Sequence, residues 1–432
     1  MSKPETKTLE VPILARVEGE GALRLDICGD TLAGVQLQIY EPPRLFEKFL
    51  EGRSYTEILD MVARICGICP VAYQMSATQA VEQCFAIEPA PWVRAMRRLF
   101  YCGEWMESHS LHIHFLAAPD FLGFPTALAM AEVYPEALHR GLRLQSLGHE
   151  IISFLGARAV HPVGACIGGF YKAPTRARAE ELLARLKAHM ADCEALVEWT
   201  ASMSLGEHLH DFTAVSLRHP EEYPMNEGRI VSSRGLNIAK ECFGDFFKEA
   251  QVPYSTALHC LLEGQTYLVG PLARMNNNSD RLPPVIQTLL KRLGVDFPSQ
   301  NMAHSIIARA VEIYYAVLEA IAILEPYATP QESCPKIIPR AGEGFGCTEA
   351  PRGLLWHYFA LDDAGRVLST RIVPPTSQNQ ARIEEDLRLS LQQFGLNRPD
   401  AELRAFSEMI IRNYDPCISC STHFLKLSVS RA

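Results

Sequence analysis

Two C-x-x-C pairs lie at opposite ends of the chain, Cys66 with Cys69 and Cys417 with Cys420. Four thiolates from two such pairs make a soft tetrahedral or distorted square site that suits nickel, zinc or an iron–sulfur cluster. A structural zinc module keeps its pairs within roughly a few tens of residues, so that one local unit closes round the ion. Here nearly the whole chain separates them. The site forms only if a large fold brings both ends together, which puts the metal at its centre.

The flanks of the pairs carry more information. Arg64-Ile65-Cys66-Gly67-Ile68-Cys69 near the start and Asp415-Pro416-Cys417-Ile418-Ser419-Cys420, followed by His423, resemble the catalytic large subunit of a [NiFe] hydrogenase. The resemblance implies a Ni-Fe centre whose iron is Fe(CO)(CN)2. Cys66 and Cys417 would be terminal nickel thiolates, and Cys69 and Cys420 would bridge the two metals. The activity implied is reversible heterolytic cleavage of dihydrogen to protons and electrons.

Further matches lie between the pairs. Glu18 sits in Arg16-Val17-Glu18-Gly19. Alone, it reads as a solvated strand-end carboxylate, whereas the family's R-x-E-G glutamate relays protons between the thiolates and the exterior. Arg352 lies in Glu349-Ala350-Pro351-Arg352-Gly353. The family's arginine holds a permanently charged, planar donor over the open metal position. Asp415 joins it there, and Pro351, Pro375 and Thr376 are the expected cofactor contacts, with Pro375-Thr376 where the family hydrogen-bonds an iron-bound cyanide. Glu47 and His423 match the ligands of a second, structural metal, Mg or Fe. Residues 424–432 look like a propeptide that a maturation endopeptidase removes after His423. The sequence departs from the family at Tyr73, where many members carry His, and at Ser108, where many carry Asp. His109, His112 and His114 do not share one helical face, so they read as core residues rather than ligands.

Several elements must position these groups. Alternating residues from Val11 to Tyr40 around Gly29-Asp30 predict a β-hairpin, and Leu45–Gly52 a short helix. Tyr55–Ala63 reads as the helix that delivers Arg64 and the first pair, and Asp400–Asn413 as the one that delivers the second. Between them, helices are expected over Ser76–Cys84, Pro91–Ala117, Ala127–Phe154, Thr175–Met203 and Ile306–Leu324, with a hairpin turning at Asp362-Asp363-Ala364-Gly365. The fold class expected is α+β, predominantly α, a long-helix core with peripheral β-hairpins, folded as a single unit over residues 1–432.

The composition is that of a globular protein: 432 residues, 48% hydrophobic and 21% charged. A net charge of -9 argues against a nucleic-acid partner. Thirteen cysteines, with neither a signal-peptide pattern over residues 1–12 nor an apolar run of membrane-spanning length, predict a cytoplasmic protein with metal-bound thiolates. With both C-x-x-C pairs assigned, no further pair is left for an electron relay, and no G-x-G-x-x-G fingerprint is present. An electron relay is therefore expected on a partner, and the resemblance implies the hydrogenase small subunit carrying Fe-S clusters, diaphorase subunits with flavin that use NAD(P), and nickel-insertion factors in maturation. The alternatives are a viologen- or deazaflavin-linked hydrogenase subunit, a quinone-site subunit of a respiratory NADH dehydrogenase complex, which lacks the full cysteine set, and a structural four-cysteine zinc protein.

Overall fold

The N-terminal alternation folds as an antiparallel sheet in the computed structural model, which describes residues 6–422. Its strands are Thr6–Val11, Gly21–Cys28 and Thr31–Ile39. Leu23 stands opposite Leu37 and Leu25 opposite Val35, so the period-two pattern buries one face. The first strand lies ahead of the alternation expected from Val11. Only Leu9 and Val11 of it are buried, too few to mark a strand.

The helical core is as expected in kind and differs in its breaks. Tyr55–Val62 starts on a capping box between Ser54 and Glu57. The next helix runs Pro70–Phe85, beginning directly after Cys69 rather than at Ser76, because proline suits the first helical position. Pro91–Leu111 packs along Pro135–Gly156 and Ser305–Leu324. It continues as a π-helical turn, His112–Ala117. The helix expected over Ala127–Phe154 breaks at Tyr134, where Pro135, lacking an N–H, starts a new one. Thr175–Met203 likewise divides at His189.

The second half supplies a three-stranded antiparallel sheet of Gly342–Ala350, Gly353–Leu361 and Val367–Val373. The Asp362–Gly365 turn joins the last two strands, as its sequence predicts. Pro351 and Arg352 form the tight turn between the first two. A long helix, Pro375–Phe394, then leads to Asp400–Asn413 and the second cysteine pair. All four of the paired cysteines belong to the largest buried apolar cluster, which places the site inside the core. Among the described residues no helix is long and apolar enough to cross a membrane.

Candidate metal centre

Each thiol sits at the end of a short, well-anchored element. Cys66 follows the 3-10 turn Ala63–Ile65, and Cys69 precedes the Pro70–Phe85 helix. Cys417 precedes the one-turn helix Ile418–Ser421, which carries Cys420. The sulfurs of Cys66 and Cys417 are 3.4 Å apart, those of Cys69 and Cys420 also 3.4 Å, and those of Cys417 and Cys420 2.7 Å. All four lie within 4.8 Å of one another and are buried. Residues 351 positions apart in sequence thus share one site.

Arg44 fastens the two loops together. Its Nη2 donates to the carbonyl of Ile65 at 2.6 Å and to that of Ser419, and its backbone N–H donates to Thr422 O at 2.6 Å. Glu18 adds a second tie: Ile418 N–H donates to its carbonyl at 2.9 Å. Gly19 has φ +90, and a Cβ there would come within 2.6 Å of Ile418 Cβ, so this close approach requires glycine.

The acid–base groups converge on the thiols. The Glu18 carboxylate accepts from Ser419 N–H at 3.1 Å, with the Cys417 thiol beside it. Burial, then the Cys66 charge, pushes its carboxyl above the usual range. Ser419 Oγ donates onward to Glu41 Oε2 at 3.3 Å. Hydrogen bonds from Cys417, Cys420 and Cys69 hold Cys66 well below the ordinary thiol value, whereas burial pushes Cys417 well above it and Cys420 up. Binding a metal here therefore releases protons.

Arg352 and Asp415 form a buried pair beside the thiols. Arg352 Nε donates to Asp415 O at 2.7 Å and Nη2 to Oδ1 at 2.9 Å. Burial opposes the guanidinium charge, but Asp415 and the sulfurs of Cys417, Cys69 and Cys66 outweigh it. Asp415 adopts φ 55, a left-handed conformation that an aspartate tolerates better than most residues. Arg274, on the helix Pro271–Asn278, sets the turn that carries Arg352. Its Nη1 donates to Ala350 O at 2.8 Å and its Nη2 to Pro351 O at 3.0 Å. Glu312 and Glu349 neutralise it at 2.7 and 3.0 Å. None of these five contributors (Arg44, Ser419, Arg274, Glu312 and Glu349) emerges from the sequence as a site residue. The available signals are Ser419 and Glu349, which lie inside the motifs of the second cysteine pair and of Arg352, and Glu312, an acid in the largely apolar stretch Ile306–Leu324 that also carries Arg309 and Glu319.

The remaining expected residues are distributed as follows. Pro375 opens the long helix, and Thr376 Oγ1 accepts from Cys417 N–H at 3.0 Å, leaving its own proton to donate. Pro351 turns beside Arg352. Glu47 accepts from Ile372 N–H at 2.7 Å. His423 and the tail lie outside the described residues. Tyr73 is fully buried with its phenol against Cys420, and burial pushes its pKa well up. Ser108 is buried with its hydroxyl unpartnered among the described residues. His109 bonds Glu312 at 2.9 Å, His112 bonds Arg412 O at 2.7 Å and His114 bonds Ser110 O at 2.9 Å, so the three rings serve separate core partners.

Four buried thiols with no carboxylate in the set select a soft metal. Several buried polar atoms close to the thiols, among them Arg352 Nη1, Asp415 Oδ2 and the Tyr73 hydroxyl, lack partners among the described residues, which fits a group bound beside the sulfurs.

A nickel-dependent hydrogenase family model matches residues 44–140 and 247–423, and this chain belongs to that family. It is 32% identical to sulfhydrogenase 1 subunit alpha of Pyrococcus furiosus, over 98% of this chain and all of the relative. It is 26% identical to the NAD-reducing hydrogenase HoxS subunit beta of Cupriavidus necator, over 97% of this chain and 95% of the relative. Among solved structures, an NAD+-reducing [NiFe]-hydrogenase in the H2-reduced state superposes with a TM-score of 0.86 at 27% identity, covering 96% of this chain and 99% of the other. The [NiFeSe] hydrogenase of Desulfovibrio vulgaris Hildenborough shares the fold at a TM-score of 0.81 and 22% identity.

Proposed function

We propose that this chain is the catalytic subunit of a cytoplasmic [NiFe] hydrogenase that passes electrons from dihydrogen to an iron–sulfur small subunit and, through flavin-bearing diaphorase subunits, to NAD(P). The observation that carries this reading is the convergence of four buried thiols with Arg352, Asp415 and Glu18 at one point. A structural zinc site needs only the thiols.

Cys66, Cys69, Cys417 and Cys420 would together hold the nickel and an Fe(CO)(CN)2 iron. When bound, this centre supplies the heterolytic cleavage of dihydrogen and the electron transfer. The protein moves the proton. Cys417 hands it to Glu18, whose raised affinity brings the carboxyl closer to the thiol and makes transfer reversible. Ser419 holds the Glu18 carboxylate through its N–H and donates its hydroxyl to Glu41, which sets a second carboxyl near the route. Arg352 presents a fixed positive charge in a dry site, where it acts more strongly than in water. The first turn of the Pro375–Phe394 helix, with Thr376, offers donors suited to anionic ligands such as cyanide. Glu47 and His423 would hold the structural Mg or Fe, set in place when the endopeptidase cuts after His423 and nickel insertion is complete.

The test is exchange of deuterium gas with solvent protons by the complex purified anaerobically with its partners, together with hydrogen-dependent reduction of NAD+ and NADP+. The proposal expects both in the native complex and neither in Cys417→Ser. Exchange without reduction of either nucleotide would overturn the assignment of the acceptor, and absence of exchange from a metal-loaded complex would overturn the enzyme.

A further inference from the structure

A second pair of thiols stands apart from the metal centre. Cys166, on the short strand Ala165–Cys166, and Cys334, in the coil before the Gly342–Ala350 strand, bring their sulfurs to 2.7 Å although 168 positions separate them. A disulfide bond is about 2.05 Å long, so closure needs a movement of less than ~1 Å. The backbones are already joined: Phe170 N–H, on the strand paired with Ala165–Cys166, donates to Ser333 O at 2.7 Å, one residue before Cys334. The two thiols line a cavity of about 180 Å³ with Tyr55, Leu59, Asp60 and Tyr171. Tyr171, at its edge, is 58% exposed. A water molecule occupies about 30 Å³, so a small peroxide has room.

We propose that Cys166 and Cys334 are a redox modification site that closes to an intramolecular disulfide when a small hydroperoxide enters this cavity. Cys334 is the more exposed of the two and meets the oxidant first. Its thiolate attacks one peroxide oxygen, the O–O bond breaks, and the departing alkoxide leaves as the alcohol with the proton the thiol gave up. Cys334 is then a sulfenic acid. Cys166, kept protonated by burial and by its neighbour thiol, is the resolving group. Its sulfur displaces hydroxide from Cys334, and that hydroxide takes the Cys166 proton and departs as water. Two thiols lose two electrons, and one hydroperoxide becomes one alcohol and one water. The wall opposite is the Tyr55–Val62 helix, which leads to Arg64 and Cys66, so the modification abuts the chain that feeds the metal centre.

The test treats the anaerobic complex with limiting tert-butyl hydroperoxide, blocks remaining thiols with N-ethylmaleimide and digests without reductant. The expected product is one peptide pair joined through Cys166 and Cys334, two hydrogens lighter than the separate thiols and parted by dithiothreitol. In Cys166→Ser the joined pair should vanish, and dimedone should label Cys334 instead. Maleimide on both cysteines after a dose that oxidises other thiols, or over-oxidation of Cys334 in the native chain with no joined pair, would overturn the proposal. Because the readout is a peptide mass, damage to the metal centre does not affect it, and the native chain alone decides if the variant does not fold.

Discussion

Arg352 grips Asp415 twice, through Nε to its backbone carbonyl and through Nη2 to its carboxylate, and keeps Nη1 buried without a partner among the described residues. The two-point grip fixes the plane of the guanidinium, so the free nitrogen is held in place rather than floating. Lysine retains the charge but has no such fork. Arg352→Lys should keep its metal and lose roughly 100-fold or more in dihydrogen turnover, the scale of removing one fixed electrostatic donor. Metal content and turnover measured on the same preparation check this. Native turnover in a fully loaded variant would remove Arg352 from the chemistry.

Glu18 tests the proton route. Glutamine still accepts from Ser419 N–H, so the loop geometry survives, but the side chain no longer ionises. Glu18→Gln should slow exchange between deuterium gas and water by about 10²–10⁴-fold, with the metal retained. Exchange at the native rate would place the route elsewhere.

Arg44 tests how the site is closed. Its guanidinium bonds the carbonyls that precede Cys66 and Cys420, each such charged bond contributing about 1.5–3 kcal/mol. Arg44→Met should lower nickel and iron content without unfolding the helical core, read by elemental analysis beside circular dichroism. Full metal content in the variant would contradict the role.

The core around Arg274 predicts a pH dependence of stability. Burial opposes both of its partners' charges. At Glu312 the Arg274 guanidinium outweighs burial and holds the carboxyl down at about 2, whereas at Glu349 burial wins and pushes it up to about 7. A carboxyl raised on folding contributes stability below its unfolded value, near 4.5, and loses it as pH rises through about 7. Across that window the native chain should lose up to about 3 kcal/mol relative to Glu349→Gln, which mimics the protonated form. Thermal midpoints of both against pH give the slopes. Parallel curves, or a native chain that gains with pH, would contradict the assignment.

Residues read from the sequence and residues missed divide along a physical line. The four cysteines, Glu18, Arg352 and Asp415 sit in compact strings whose neighbours are themselves informative, and the structure gathers them. Glu349 sits inside such a string and Arg44 and Arg274 outside all of them, yet all three act through partners tens or hundreds of residues away, and no local pattern marks a carbonyl as needing a guanidinium. The Pro375–Phe394 helix escaped for a related reason. Its first turns, Thr376 to Gln380, are polar yet buried, so the apolar stripe that marks a helix is absent where the site needs it most. The break at Tyr134 falls where Pro135 opens a new helix, whereas the division at His189 and the π-turn at His112–Ala117 leave no mark in the helical periodicity.

The measurement that bears most directly on the central claim is an infrared spectrum of the anaerobically purified complex, taken with metal analysis and the mass of this subunit on the same sample. The account predicts nickel and iron in equal amounts, bands from carbon monoxide and cyanide bound to iron, and their loss in Cys420→Ser. A subunit cut after His423 that carries zinc, or no metal, and shows no such bands would contradict it.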